Sequence, residues 1–248
     1  MKLRGPLPAI IVSLLVLGSA LSFVRQQGQL QFLELAAYDL LVAKVPSGPD
    51  APTAVSLVLI TEPDIQTLGN WPLTDAQLHD ILKRIIALQP EIIGLDIYRD
   101  LAVPPGTAEL LALFRQEARV IGIEKFPSEG SPGIPPPSVL QHKGHVGFSD
   151  LVVDRGGLTR RSLLFQSHGQ RTGFAFALQL ALGYLYPRGI TPTESDAKNR
   201  HMRLGKVTFL PLDGNDGGYV DADTAGYQVM LGYRDEPNPF PIHSIGEL

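Results

Sequence analysis

Cysteine is absent from all 248 residues, which removes disulfide frameworks, thiolate metal sites and cysteine nucleophiles together. The absence assigns no compartment, because a chain of this length stabilises itself by core burial in oxidising or reducing surroundings alike. An excess of one charge is also lacking: 21 Lys and Arg stand against 25 Asp and Glu, a net −4, with the basic residues scattered. No basic stripe offers the phosphate-neutralising surface that nucleic acid requires, so no nucleic-acid partner is expected. The G-x-S-x-G elbow, H-E-x-x-H, the Walker loop and a G-x-G-x-x-G after a strand are all missing. The six histidines (His79, His142, His145, His168, His201, His243) never fall at metal-ligand spacing. Asp213–Gly217 has the composition of a calcium loop, but the position eleven residues on, where a bidentate Glu belongs, is Thr224. A hairpin turn is the expectation there. No catalytic residue, metal or cofactor is expected.

What is present begins at the N-terminus. Lys2 and Arg4 precede Leu7–Val24, where no residue is charged and only Ser13, Ser19 and Ser22 carry polar side chains. The 18 residues of that run reach about 27 Å as a helix, close to the hydrocarbon thickness of a bilayer. Positive charge before the run keeps the N-terminus in the cytoplasm and sends the remainder across. A cleaved signal peptide is the competing reading, with Gly18 and Ala20 as small residues near a cut site. The run is long for a signal, and its helical pattern continues through Leu30, Leu33, Ala37 and Leu41. The expected organisation is a cytoplasmic segment 1–6, a membrane helix 7–24, a juxtamembrane helix and linker 25–52, and one domain 53–248. Within it, Gln29–Val45 reads as helix and Pro46–Pro52 as linker.

The apolar share of 44% against 19% charged residues supports a packed core. Val55–Thr61 is a short apolar, β-branched run bounded by Pro52 and Pro63, suited to a buried strand. Thr74 opens a helix with Gln77 in capping-box position, and Leu78, Ile81, Leu82, Ile85 and Ile86 form one apolar stripe before Pro90. Ile92–Asp96 reads as a strand, Thr107 to Glu117 as a helix with Leu110, Leu111 and Phe114 inward, and Val120–Ile123 as a third strand. Strand–helix–strand–helix–strand order predicts an α/β domain with a central, largely parallel sheet flanked by helices. Beyond the proline-rich loop Pro127–Pro137, strands are expected at Val146–Ser149, Leu158–Gln166, Val207–Leu210 and Val229–Tyr233. Turns at Asp154–Gly157 and Asp213–Gly218 and a helix at Phe174–Leu185 complete the pattern. Ser244 and Glu247 have capping-box spacing, so a helix is expected to open there and continue into a longer protein.

Ligands collect at the carboxyl ends of parallel strands. Glu62 and Asp64 follow the first expected strand, and Asp96 ends the second, with Trp71, Tyr98, Arg99 and Asp100 close by in sequence. Glu62, Asp64, Trp71, Asp96, Tyr98 and Arg99 are therefore the candidate ligand-binding residues. Their alternative roles are structural: Asp64 capping a turn, Trp71 covering the core, Asp96 pairing with Arg99. Paired carboxylates across a cleft also suit a glycosidase-type hydrolase, which requires two of them about 5–9 Å apart.

The ordered segments of the chain resemble the CHASE2 domain, an extracytoplasmic sensory module of bacterial, especially cyanobacterial, receptors. Leu35–Asp39 is similar to the family's opening Tyr-Asp element, and Leu57–Pro72 to its strand, acidic loop and Gly-x-Trp-Pro turn. Ile92–Asp100 is similar to its second strand with terminal Asp, and Gly144–Arg161 to its Gly-Phe, Asp and Gly-x-x-Arg-Arg stretch. Leu231–Arg234 and Phe240–Ile245 are similar to its closing strand and loop. One departure is visible, since many members carry a basic residue shortly after Trp-Pro, where this chain has Leu73-Thr74-Asp75. The resemblance implies a sensor of a small-molecule or envelope signal, held in the inner membrane with its domain on the periplasmic side. It also implies further membrane helices and a cytoplasmic cyclase or kinase downstream. Dimerisation is expected by analogy with receptors. Competing expectations are a tethered or secreted hydrolase and a structural envelope protein that binds through an exposed apolar patch.

Overall fold

A computed structural model describes residues 6–44, 54–169, 171–233 and 240–248. Lys2, Arg4, the Pro46–Pro52 linker and Arg234 lie outside the described residues. The chain divides into two compact units. The smaller comprises the described parts of Met1–Pro49, Leu212–Ala225 and Gly232–Glu236, and the larger those of Asp50–Pro211, Gly226–Leu231 and Pro237–Leu248.

In the smaller unit, the uncharged run forms α1 (Leu7–Gln26), none of whose residues is buried. Among the described residues it is the one helix long and apolar enough to cross a membrane. Gln27–Leu30 turn the chain into α2 (Gln31–Val42), shorter than the expected Gln29–Val45. Arg25, in the last turn of α1, donates from Nε to Glu34 of α2 at 2.8 Å and from Nη2 to the Gly217 carbonyl at 2.7 Å. The Asp213–Gly218 segment is a turn, as its composition predicts: Asp216 N donates to Asp213 O, and Asn215 N to Asp213 Oδ1.

In the larger unit, β1 (Leu57–Leu59) is followed by α3 (Glu62–Leu68), which the sequence reading passed over as an acidic loop. The amphipathic stripe forms α4 (Asp75–Ala87), and its capping box is made: Gln77 N donates to Thr74 Oγ1 at 3.2 Å and Thr74 N to Gln77 Oε1 at 2.9 Å. Then come β2 (Ile93–Gly94), α5 (Thr107–Gln116), β3 (Val120–Glu124), α6 (Ser138–His142) and β4 (Val146–Phe148). β2, β3 and β4 pair parallel in that order; β2 beside β3 is the neighbour relation that the strand–helix–strand order predicts, but the third member is β4 and not β1. Side-chain alternation splits this sheet between two helical layers. Ile93 and Val120 join Leu78, Leu82, Leu110 and Phe114 of α4 and α5 in one core.

The other face receives α7 (Phe176–Leu185), which follows β5 (Arg161–His168) and β6 (Arg171–Phe174). A Cβ at Gly147 would stand 2.4 Å from Phe176 Cα, so only glycine lets the helix start so close to the strand. A second core gathers Phe126, Phe148, Leu163, Leu178 and Leu182. β7 (Pro192–Asp196), β8 (His201–Leu204) and β9 (Val207–Phe209) form a separate antiparallel meander, of which only β9 was legible. β10 (Tyr227–Met230) pairs antiparallel with β5, and β6 lies on the other side of β5. β11 (Ile242–Ser244) ends in a 3-10 turn, Ile245–Glu247, where the capping box forms but no α-helix opens among the described residues.

The expected place of β1 needs correction. Its ladder partner is β11, in parallel, and no ladder joins it to β2. Leu57 and Leu59 are 38% and 43% exposed, so β1 is not the buried strand its apolar run implied. A two-stranded ribbon has an edge on both sides and therefore cannot enclose its own strands.

The α5–β3 junction is held by an acid–base fork. Glu117 accepts from Arg119 Nε at 2.8 Å, Nη2 at 2.6 Å and the Arg119 backbone N at 3.0 Å, while Arg119 Nη1 reaches the Pro90 carbonyl at 3.3 Å. These bonds to Arg119 hold the Glu117 carboxyl at about 2, below its ordinary 4.5. Its folded value is depressed, so its stabilisation is present above about 4.5 and is lost as pH falls towards 2. The stability gap between wild type and Glu117→Gln, from thermal unfolding in detergent micelles, is expected to narrow over that interval. A gap independent of pH would exclude the fork as a source of stability.

Candidate functional site

The site is built where β2, β3 and β4 give out at their carboxyl ends. Tyr98, leaving β2, has its hydroxyl 2.6 Å from Ser149 Oγ, just past β4. Ser149 donates its own hydroxyl proton to the Glu124 carbonyl on β3 at 3.2 Å, so Tyr98 is the donor in the first bond. Three strand ends are thus tied by two side chains. The Glu124 carboxylate is almost fully buried and accepts from Arg171 Nη2 at 2.6 Å, and that guanidinium lies 5.4 Å from the Phe126 ring centroid. Asp150 accepts from the Phe126 backbone N at 3.0 Å.

One residue beyond Tyr98, Arg99 turns inward. Its side chain is 5% exposed, and Asp75, at the first turn of α4, is 1% exposed. Arg99 Nη1 donates to the Leu73 carbonyl at 2.9 Å and lies 3.5 Å from Asp75 Oδ1. The other carboxylate oxygen, Asp75 Oδ2, accepts from Thr107 Oγ1 at 2.7 Å and Val103 N at 3.1 Å. Two backbone bonds run alongside, Asp75 N to Val103 O at 2.7 Å and Ala76 N to Pro105 O at 2.8 Å. Gly106, at φ +97°, lets the loop lie on Ala76, because a Cβ there would meet the Ala76 backbone N at 2.4 Å. The loop leaving β2, the start of α4 and the start of α5 therefore converge on one buried ion pair.

That pair is under-satisfied. Among the described residues, Arg99 Nε, Arg99 Nη2 and Asp75 Oδ1 are buried without a hydrogen-bond partner. Burial depresses the Arg99 pKa, and the nearby Asp75 charge offsets this only in part. A buried polar atom left unpaired costs about 1–3 kcal/mol, and more when charged.

The remaining candidates are dispersed. Asp64 caps α3, with Oδ2 accepting from Thr61 N at 2.8 Å and Thr61 Oγ1 at 2.6 Å; these bonds lower its pKa. Glu62, exposed on the same turn, meets Gln66 Nε2 at 3.4 Å. Glu62 and Asp64 follow β1, which is laddered to β11, so the ladders do not place them on one sheet edge with Asp96. Asp96 is exposed and Trp71 is 56% exposed. Asp75, Thr107, Glu124, Ser149 and Arg171 were not singled out from sequence. Asp75 reads locally as an ordinary acidic residue in a first helical turn, and nothing near it announces Arg99.

A second buried ionic cluster lies farther along the chain. Asp154 accepts from Arg160 Nη1 at 2.9 Å and from Arg161 Nη2 at 2.7 Å, all three side chains being at most 8% exposed. Arg161 Nη1 also donates to Gln228 Oε1 at 3.0 Å, fastening β5 to β10. The turn expected at Asp154–Gly157 forms, with Gly157 N donating to Asp154 O, and it presents the carboxylate to both arginines. This cluster is a clamp. His145, at the start of β4, has a buried Nδ1 without a partner among the described residues, and burial, aided by the Lys143 charge, lowers its pKa. Among the described residues no group of three His, Cys, Asp or Glu gathers to hold a metal ion.

Comparison with known proteins adds one finding. A family model described as the CHASE2 domain matches residues 12–248, which takes in both units. No curated protein matches, and no solved structure matches.

Removing the Arg99 charge alone strands a buried carboxylate, at a cost of about 3–5 kcal/mol. Arg99→Met is expected to lose stability on that scale in urea unfolding of the micellar protein. Asp75→Asn/Arg99→Met, which keeps an acceptor for Thr107 and Val103 but removes both charges, is expected to lose less than half as much. Equal losses would mean that shape rather than charge pairing holds the hub.

Proposed function

The chain belongs to the CHASE2 domain family, whose members are extracellular sensory rather than catalytic domains, and we propose that it receives an envelope signal and transmits it inward as a change of shape. The family match over residues 12–248 carries this reading. The exposed, uncharged α1 fits a membrane-anchored protein. On this reading α1 is retained in the inner membrane, the larger unit faces the periplasm, and a cyclase or kinase lies beyond the chain's end on the cytoplasmic side.

The hub supplies a means of response. A signal shifts a conformational balance only by its differential affinity for the two states. Asp75 and Arg99 join the loop leaving the sheet to the starts of two helices, yet among the described residues one guanidinium edge has no hydrogen-bond partner and Asp75 Oδ1 has only the ion pair at 3.5 Å. On this reading a bound signal displaces that loop and re-pairs these atoms, favouring a second arrangement. We assign the ligand contacts to the carboxyl edge of β2–β4, supported by exposed Asp96 and Tyr98 after β2, with exposed Trp71 and buried Arg99 as further candidates. Glu62 and Asp64 keep a supporting place, Asp64 by fixing α3. The hydrolase reading draws no support from Asp64, whose carboxylate is engaged in its helix cap.

Because the chain has no cysteine, one introduced thiol reports topology without background. Glu109→Cys, exposed on α5, is expected to react with a membrane-impermeant maleimide in spheroplasts before lysis. Labelling only after lysis, or recovery of a soluble protein lacking its first two dozen or so residues, would overturn the reading.

A further inference from the structure

Helix α2 is inside out. At 100° per residue, Phe32, Leu33, Ala36, Ala37, Leu40 and Leu41 fall on one half of the helix, and every one is exposed. Phe32, Leu40 and Leu41 are each at least 66% exposed. The opposite half carries the polar groups and the contacts: Leu35 is buried, and Gln31 Oε1 accepts from Val220 N at 3.0 Å. A surface helix has the reverse arrangement.

The helix cannot roll to hide its apolar half. Gly218 lies so close that a Cβ on it would stand 2.9 Å from Glu34 Cβ and 3.3 Å from Leu35 N. The Arg25–Glu34 pair and the Arg25 bond to Gly217 hold the same side. Within the smaller unit, the described residues leave the outward half uncovered.

Charge and shape choose between a lipid surface and another helix. Helices that lie in a bilayer interface carry Lys and Arg on their polar side. Between Arg25 and Lys44 this chain has no basic residue, and its only charges are Glu34 and Asp39. The apolar half is small at its centre, at Ala36 and Ala37, and bulky at both ends, with members spaced four residues apart. Two such ridges crossing at their small centres give the commonest helix-pair geometry. Two faces of this length, about 18 Å, cover on the order of 1,000 Å², below the roughly 1,200 Å² of a stable interface in free solution. Confinement of both chains by α1 in one membrane raises the effective concentration and makes up the difference.

We infer that α2 pairs with α2 of a second copy of this chain, crossing at Ala36 and Ala37. The pair lies four residues from the end of α1, so any change in its crossing is passed directly to the anchors. This pairing rests on α1 lying in a bilayer and not on the domain's sensing role.

The test uses the full chain in neutral phosphatidylcholine vesicles. Ala36→Cys and Ala37→Cys, oxidised with copper phenanthroline, are expected to give at least five-fold more disulfide dimer than Glu109→Cys. Adding Ala37→Glu to Ala36→Cys is expected to return the yield to that of Glu109→Cys, with helix content by circular dichroism unchanged. Equal yields from all three single thiols would overturn the pairing. So would strong quenching, by brominated lipid, of a fluorophore attached at Ala36→Cys, which would place lipid on the stripe. A wrong membrane orientation in spheroplasts would sink the sensory reading and leave the cross-linking pattern as it is.

Discussion

The contact between Asp75 and Arg99 is the constraint on which the rest of the larger unit's architecture depends. It adds Arg99 to a junction where Asp75 already accepts from Val103 and Thr107 and the loop already bonds to the first turn of α4. Taking two charges out of water is costly, and their attraction offsets that cost only when the surrounding hydrogen bonds are complete. Here one carboxylate oxygen is fully used by Thr107 and Val103 while the other faces a guanidinium at 3.5 Å. The loop and the starts of α4 and α5 are held together by Asp75, Thr107 and Val103, with Arg99 alongside.

The second ionic cluster shows what a completed network looks like in the same chain. Asp154 engages both of its oxygens with Arg160 and Arg161, and Arg161 reaches onward to Gln228. That arrangement fixes a turn to two strands and leaves little to rearrange. The two clusters differ in completeness: Asp154 has both oxygens engaged where β5 meets β10, whereas behind the carboxyl edge of the parallel sheet Asp75 Oδ1 has only the ion pair with Arg99.

Within the smaller unit the polar contacts of α2 point inward and its apolar side chains outward, which is a design for company. Arg25 is central to it, since one guanidinium joins the end of α1 to both Glu34 and the Gly217 carbonyl. The join between α1 and α2 is thereby braced by one charged residue beside the backbone turn Gln27–Leu30.

The residues alone determined the features that short-range physics controls. The uncharged run of α1, the stripe and capping box of α4, the parallel pairing of β2 with β3, and the turns at Asp154 and Asp213 all follow from periodicity or local hydrogen bonding within a few positions. The resemblance in five ordered segments reached the family. Tertiary structure decided what depends on partners far along the chain. β1 looked like a buried strand but pairs with β11, some 185 positions away, because a three-residue apolar run carries no information about which edge will accept it. Asp75 looked like a helix-start acid, and Arg99 and Tyr98 like loop residues; their joint roles exist only after α4 and the sheet are packed. The reason is that propensity and amphipathicity act over one or two turns, whereas the choice of a buried charge's partner is made by the whole surrounding core.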